Sequence, residues 1–306
     1  MQTAKLRIGT RGSRLARIQA QEAKDRLVAA HGLDADSVEI RIISTSGDRI
    51  QDRPLSELGG KGLFTKEIED ALLEGQIDIA VHSMKDMPAM LPEGLVISCL
   101  LPREDPRDAF ISPVAQSIRS LPEGARLGSS SVRRAAQVRR LRPDVEVVNF
   151  RGNVETRLRK LDERQADATL LACAGLNRLG LQAHVTSIVA MEDMLPAVAQ
   201  GAIGIEARTD DARIHQLLAA VGDRNTAITI ACERAFLEVL EGSCRMPIAG
   251  HAVLDGPNIS FRGEVLTPDG TRIFAAARQG SAGDAAALGR EAGLEVKRAA
   301  ADHLVS

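Results

Sequence analysis

The sequence contains no tryptophan and no tyrosine, and only six phenylalanines among 306 residues. That composition does not suit a stacking platform for single-stranded nucleic acid. Apolar runs of membrane-spanning length are also missing, which excludes a transmembrane helix. The opening MQTAKLRIGT has neither an apolar segment of signal-peptide length nor a small-residue cleavage site. Cysteine is scarce: Cys99, Cys173, Cys232 and Cys244 form no C-x-x-C pair and no zinc-ligand spacing. No metal site is expected, and reduced thiols fit a cytoplasmic protein. A strong net charge is absent too, with 39 Lys and Arg against 41 Asp and Glu.

What is present is uneven. Between Arg126 and Lys160 lie ten Lys or Arg and only three Asp or Glu. A local excess in a near-neutral chain points to an anion site rather than a polyanion-coating surface. Strand and helix patterns alternate over the first hundred residues, from KLRIGT (5–10) and the amphipathic 13–31 onward. PREDPRDAF (102–110) reads as a crossing segment. The pattern then returns: RLGSSSVRR (126–134) echoes RIGTRGS (7–13), and RGNVETRLRKLDERQADATLLA (151–172) echoes KGLFTKEIEDALLEGQIDIAVHS (61–83). In both, the strand after the helix carries an aspartate, Asp78 or Asp167. Two similar doubly wound α/β lobes facing a cleft are expected. From about 224, a helix, three antiparallel strands with turns at DGPN and TPDG, and a closing helix make a small α+β domain.

Three constellations carry chemistry. Turns from strand into helix at Arg11 and Ser13, at Ser129–Ser131 with Arg133 and Arg134, and at Arg151 with Arg157 put guanidiniums beside helix N-termini. Such places suit carboxylate or phosphate. Arg139, Arg140, Arg142, Arg159 and Lys160 read instead as solvated helix charge. VHSMKDMPAM (81–90) gathers His82, Ser83, Lys85 and Asp86 at a strand end, where a carboxylate beside lysine can steady a cation or move a proton. His82 and Asp86 as metal ligands is the weaker alternative. LEGSCRMPIAG (240–250) sets Cys244 in a Gly-Ser corner beside Arg245, whose charge would lower a thiol pKa. A solitary cysteine is more often an inert filler.

Taken together, RIGTRGSRLA (7–16), LGGKGLFTKEIEDALLEGQIDIAVHSMKDMP (58–88), GSSSVRRAAQVRRLRPDVEVVNFRGNVETRLRKLD (128–162), ACAGLNRLGL (172–181), PAVAQGAIGIEAR (196–208) and ERAFLEVLEGSCRMPIAG (233–250) resemble the porphobilinogen deaminase (hydroxymethylbilane synthase) family over essentially the whole chain. The resemblance implies a transferase that joins four porphobilinogen molecules head to tail with loss of ammonia. It further implies a dipyrromethane cofactor held by a thioether to Cys244, and Asp86 as the catalytic carboxylate that steadies the cationic azafulvene. By the same resemblance, Lys85, Ser131, Arg133, Arg134 and Asp86 bind the cofactor. Arg11, Ser13, Lys61, Arg151, Arg157 and Arg178 meet substrate carboxylates, and Gln200 lines the cleft. The implied fold is two lobes like type II periplasmic binding proteins (1–101 with 200–219, and 106–195) plus a C-terminal domain (224–306) carrying the attachment loop. A monomer is implied as well. Two departures from the family pattern, Ser243 with Arg245 and Met246, bear on the attachment loop rather than the reaction.

Other readings are a two-lobed solute-binding module for a polycarboxylate, a nucleic-acid binder using the 126–160 segment, and a cysteine hydrolase. The first has no need of Cys244. The second sits badly with the near-neutral charge and missing aromatics, and predicts strong salt dependence. The third lacks an identifiable base near Cys244.

Overall fold

The computed structural model describes residues 5–49, 64–240 and 246–301. They form two compact units: the described residues up to Arg103 together with 202–227, and residues 104–201 together with 228 onward.

The first unit is an α/β layer structure. Its strands are β1 (Leu6–Arg11), β2 (Val38–Ile43), β3 (Ile79–Ser83), β4 (Leu95–Leu100) and, much later in the chain, β10 (Ile203–Arg208), in the sheet order β2-β1-β3-β10-β4. Helices α1 (Arg14–His31), α2 (Ser46–Arg49), α3 (Lys66–Leu73) and α7 (Ala212–Ala219) accompany it. The sheet is mixed: β1 runs parallel to β2 and β3, whereas β10 is antiparallel to β3 and β4. Alternating side chains send Ile8, Ile79, Val81 and Ile205 to one face, against Ala20 and Leu27 of α1 and Ile214 and Leu218 of α7. Ala80 faces the other way, with Ile68 and Leu72 of α3. Ser13 caps α1, its hydroxyl accepting from Ala16 N at 3.2 Å, and Gly32 at φ 60° closes the helix.

The second unit repeats this wiring. It holds β5 (Asp108–Ile111), β6 (Arg126–Gly128), β7 (Glu146–Val148), β8 (Ala168–Ala172) and β9 (Ser187–Ile188) in the order β7-β6-β8-β5-β9, with helices α4 (Val132–Leu141), α5 (Val154–Asp162) and α6 (Cys173–Leu179). Again the first three strands are parallel and β5 runs antiparallel to both neighbours. The segment expected merely to cross between lobes therefore ends in a buried strand: Asp108 through Phe110 belong to β5. Its single charged residue and flanking prolines concealed the strand pattern.

The echoed aspartates share a task. Asp78 Oδ2 accepts from the backbone N–H of Arg7 at 2.8 Å, and Asp167 Oδ2 from that of Arg126 at 2.7 Å. Each aspartate N–H returns a bond to the same arginine's carbonyl, at 2.9 Å and 2.8 Å. The glycine that follows in each strand is set by close packing. A β-carbon on Gly128 would lie 2.5 Å from Phe150 Cγ, and one on Gly9 would overlap Ile77 Cδ1.

Within the second unit, β11 (Ile248–Asp255), β12 (Asn258–Leu266) and β13 (Ile273–Ser281) form the expected antiparallel sheet. Helix α8 (Arg224–Val239), which enters this unit at Ile228, and α9 (Ala285–Ala299) lie so close that a β-carbon on Gly289 would overlap the Cys232 carbonyl. Phe236 of α8 meets Phe261 of β12 with ring centroids 5.1 Å apart.

Candidate active site

The first unit gathers functional groups at the C-terminal end of β3. The chain leaves Ser83 through a single 3-10 turn, Met84–Asp86, that brings Asp86 to the surface with its side chain 40% exposed. Arg11, at the end of β1, reaches within 4.0 Å of the Asp86 carboxylate and lies 4.1 Å over the Phe64 ring. Strands β1 and β3 are parallel neighbours, so their C-terminal ends deliver both groups to one cavity, lined also by Ser13, Gln19 and His82. Lys85 lies in the same turn. Gln19 donates to Ser83 Oγ at 2.9 Å and ties α1 to the strand end. Phe64 and Gln19 had no place among the expected site residues, although both line the cavity; His82 stands there as part of the expected strand-end cluster.

Behind the cavity lies buried charge. His82 Nε2 is 3.0 Å from Glu206 Oε2, and the two side chains are 4% and 0% exposed. Glu69 of α3 is buried nearby, and desolvation raises its carboxyl above the usual range.

The second unit presents a different arrangement. Asp108, the first residue of β5, accepts from Arg133 Nη2 and Arg134 Nη2, each at 2.7 Å, and from Gln200 Nε2 at 2.9 Å. Burial alone would raise this carboxyl; the two guanidiniums hold it far below the usual range. The remaining Nη1 groups donate to Leu195 O at 2.7 Å and Leu170 O at 2.9 Å. Arg133 and Arg134 are thus buried and held in place by Asp108 and two backbone carbonyls. Ser131 caps α4, its hydroxyl accepting from Arg134 N at 3.4 Å, as Ser13 caps α1 in the first unit.

Gln200 also donates to Pro106 O at 2.7 Å and is 1% exposed, so its amide serves β5 directly. It follows Ala199, whose φ of 62° is unusual for a residue with a β-carbon. The Ala199 N–H donates to Glu233 Oε2 at 2.6 Å, and Glu233 Oε1 accepts from Ala252 N at 2.9 Å. A buried carboxylate therefore holds the strained corner that presents Gln200. Asp108 and Glu233 were missed because their partners are distant in sequence; no local motif announces them.

Arg157 Nε donates to Gly152 O at 2.9 Å and Arg178 Nη1 to Gly201 O at 3.2 Å. Arg142, expected to be solvated, instead bonds the carbonyls of Arg119 at 2.9 Å and Leu121 at 2.8 Å, with Asp144 beside it, and so braces a loop. Arg139 donates to Pro268 O at 2.7 Å.

Lys61 and Cys244 lie outside the described residues. The other three cysteines are all buried, and desolvation pushes their thiols up to about 11 for Cys99 and about 12 for Cys173 and Cys232. Such thiols are poor nucleophiles at neutral pH. Among the described residues no group of three or more His, Cys, Asp or Glu could hold a metal ion, and no helix is long and apolar enough to cross a membrane.

A dipyrromethane with acidic arms fits the donor set. Arg133 Nε, Arg134 Nε and Arg151 Nη1 are buried guanidinium N–H groups with no hydrogen-bond partner. Orphaned donors of this kind cost free energy until a carboxylate meets them.

Comparison with known proteins gives two family matches. Residues 6–216 match "Porphobilinogen deaminase, dipyromethane cofactor binding domain", and residues 227–298 match "Porphobilinogen deaminase, C-terminal domain". The porphobilinogen deaminase of Paracoccus denitrificans is 59% identical over 298 residues, spanning 97% of this chain and 95% of the relative. Among solved structures, an arginine-specific periplasmic binding protein of Salmonella typhimurium aligns at 12% identity and TM-score 0.40, over 74% of this chain and 94% of its own. YhfZ of Shigella flexneri aligns at 17% and 0.38, over 76% and 90%.

Proposed function

The chain belongs to the porphobilinogen deaminase family, and from that premise we propose which of its side chains perform the reaction. It is a transferase of tetrapyrrole biosynthesis: four porphobilinogen molecules are joined head to tail, with loss of ammonia, into hydroxymethylbilane. Its cofactor is a dipyrromethane. When bound, that group supplies the accepting pyrrole carbon and the anchor for the growing chain.

Asp86 is the catalytic carboxylate. Positive charge develops on the substrate pyrrole as its amine departs, and a fixed negative group beside the ring lowers that barrier. Arg11, 4.0 Å away, sets a guanidinium beside that carboxylate, where an acidic arm of the substrate can also be met. The adjacent Phe64 ring gives the cavity one flat apolar wall suited to a pyrrole. Ser13 and Ser131 cap their helices and hold Arg11 and Arg134 in place beside them. Lys85, Lys61, Arg133, Arg134, Arg151, Arg157 and Arg178 take the acetate and propionate groups of cofactor and substrate. Gln200 acts through Asp108, which orients the arginine pair.

Cys244 is the attachment thiol. Support comes by exclusion, since the other three thiols are buried and held protonated. The family matches, divided between 216 and 227, support a cofactor-binding region of two lobes (1–101 with 200–219, and 106–195) followed by a separate domain from 224. The enzyme acts as a monomer in the cytoplasm.

The observation that carries the residue assignment is the cavity where Arg11, Asp86 and Phe64 meet. Intact-mass measurement tests it together with turnover. Wild type should carry two linked pyrrole units and Cys244→Ala none, while Asp86→Asn keeps the adduct and loses activity. Bare polypeptide mass in wild type made with substrate precursor present would reject the thiol assignment.

A further inference from the structure

The groups named so far leave one buried cluster in the first unit unused. His82 lies at the end of β3 and lines the same cavity as Arg11, Phe64 and Asp86. Its register partner on β10 is Gly204, whose missing side chain leaves room for Met84 of the turn that carries Asp86. Nε2 is engaged by Glu206 at 3.0 Å, and the other ring nitrogen has no hydrogen-bond partner among the described residues. Glu206 Oε1 is buried and unpartnered beside it, and Glu69, faced by the Thr65 hydroxyl, is buried nearby. A stabilising polar plug would satisfy such an atom. Left unsatisfied, it marks a place where a proton or hydrogen bond is added during function.

We propose that His82 is a second catalytic base of this transferase, oriented by Glu206, a positioning residue. The inference rests on the reaction assigned above. In each addition the substrate's C–N bond breaks, its electron pair leaving on ammonia, and a C–C bond forms from the π electrons of the accepting ring. That ring then gives up its C–H proton. R–CH2–NH3+ and ring C–H become R–CH2–ring, NH3 and one proton. Asp86 is occupied with the developing cation, and protonating it would discharge the group that steadies it. A neutral imidazole on the same cavity takes the proton without that cost and later releases it to water.

The surrounding charge fits. Glu206 faces His82 from β10 and Glu69 from α3, with Arg11 and Asp86 across the cavity. Burial favours the protonated form of Glu69. A proton taken up by His82 arrives 3.0 Å from the Glu206 carboxyl, which accepts a hydrogen bond from the ring.

The test is the pH dependence of kcat in adduct-bearing enzyme, alongside 15N-histidine NMR of the same samples. In wild type the acid limb of kcat should coincide with the titration of one imidazole. His82→Gln should remove that signal and lower kcat by about 100-fold. Glu206→Gln, close in shape, should move both the limb and the imidazole titration to lower pH by about one unit. Should Glu206→Gln leave either in its wild-type position, the proposal is overturned, whether or not His82→Gln folds. Wild-type turnover with an unmoved limb defeats only this proposal; adduct-bearing wild type that makes no product defeats the reading beneath it as well.

Discussion

In the first unit, the antiparallel strand β10 buries Glu206 against an imidazole and leaves one carboxylate oxygen without a partner. In the second, β5 holds the same place in the sheet and buries Asp108 between two guanidiniums and an amide. Register makes the contrast sharper. Asp108 stands where the first sheet has Ile203, and Glu206 where the second has Ile111. One sheet design thus serves two purposes. The first unit leaves its buried carboxylate with an oxygen unpartnered, close to a cavity. The second saturates its carboxylate and so fixes a positive pair for acidic arms.

The largest effects come from exchanging carboxylate for amide in each unit. Asp86→Asn should lower kcat by about 10²–10³-fold and leave the melting temperature nearly unchanged, because this side chain is 40% exposed. Asp108→Asn should do the reverse first. Two buried guanidiniums lose their shared counter-charge, a loss of roughly 3–5 kcal/mol, read by denaturant unfolding, with poorer retention of the adduct following. If Asp108→Asn unfolds like wild type, the second unit's centre is not built on that ion triad.

The two units should also respond to pH with opposite signs. Asp108 is held below its unfolded value, so its contribution is present above about pH 4 and is lost as pH falls. Glu69 is raised above its unfolded value, so its contribution is present at low pH and fades as pH rises through the folded value. Melting temperatures across pH should therefore flatten on the acid side in Asp108→Asn and on the neutral side in Glu69→Gln. Identical profiles for both variants would erase the distinction.

How much of this was legible in the sequence follows the range of the interactions. The two-lobed α/β plan, the repeated strand-to-helix turns, the Asp78 and Asp167 echo and the three-stranded C-terminal sheet all rest on local pattern, and the structure bears them out. The hidden parts depend on distant partners. β5 looked like a crossing because its one charged residue, Asp108, finds its arginines 25 and 26 positions later. His82 meets Glu206 across 124 residues. Periodicity carries no trace of either. The same limit kept Phe64 out of the expected site: a lone phenylalanine before a helix gives no sign that an arginine will lie over it.

A smaller effect separates the equivalent glycines. Gly128 faces three ring atoms of Phe150 within 2.7 Å of an added β-carbon, whereas Gly9 faces chiefly the tip of Ile77. A rigid ring cannot yield as a flexible side-chain end does. Gly128→Ala should cost about 1–3 kcal/mol and Gly9→Ala distinctly less, by thermal unfolding. Equal losses would mean that the ring moves aside as easily as the isoleucine.

The smallest difference tests the echoed aspartates. Both accept a backbone N–H from the neighbouring strand, but only Asp78 adds the Arg7 guanidinium, with Nε at 3.0 Å and Nη2 at 2.7 Å. That pair is partly open to water, Arg7 being 28% exposed, so screening trims its worth. Asp78→Asn should therefore destabilise by about 1 kcal/mol more than Asp167→Asn. Adding Arg7→Gln to each variant separates the two bonds. The extra loss should vanish in the Asp78 background, since its partner is already gone, and persist in the Asp167 background. If Arg7→Gln costs the same in both, the guanidinium stabilises β1 through something other than Asp78, and the shared backbone bond alone explains why both lobes place an aspartate there.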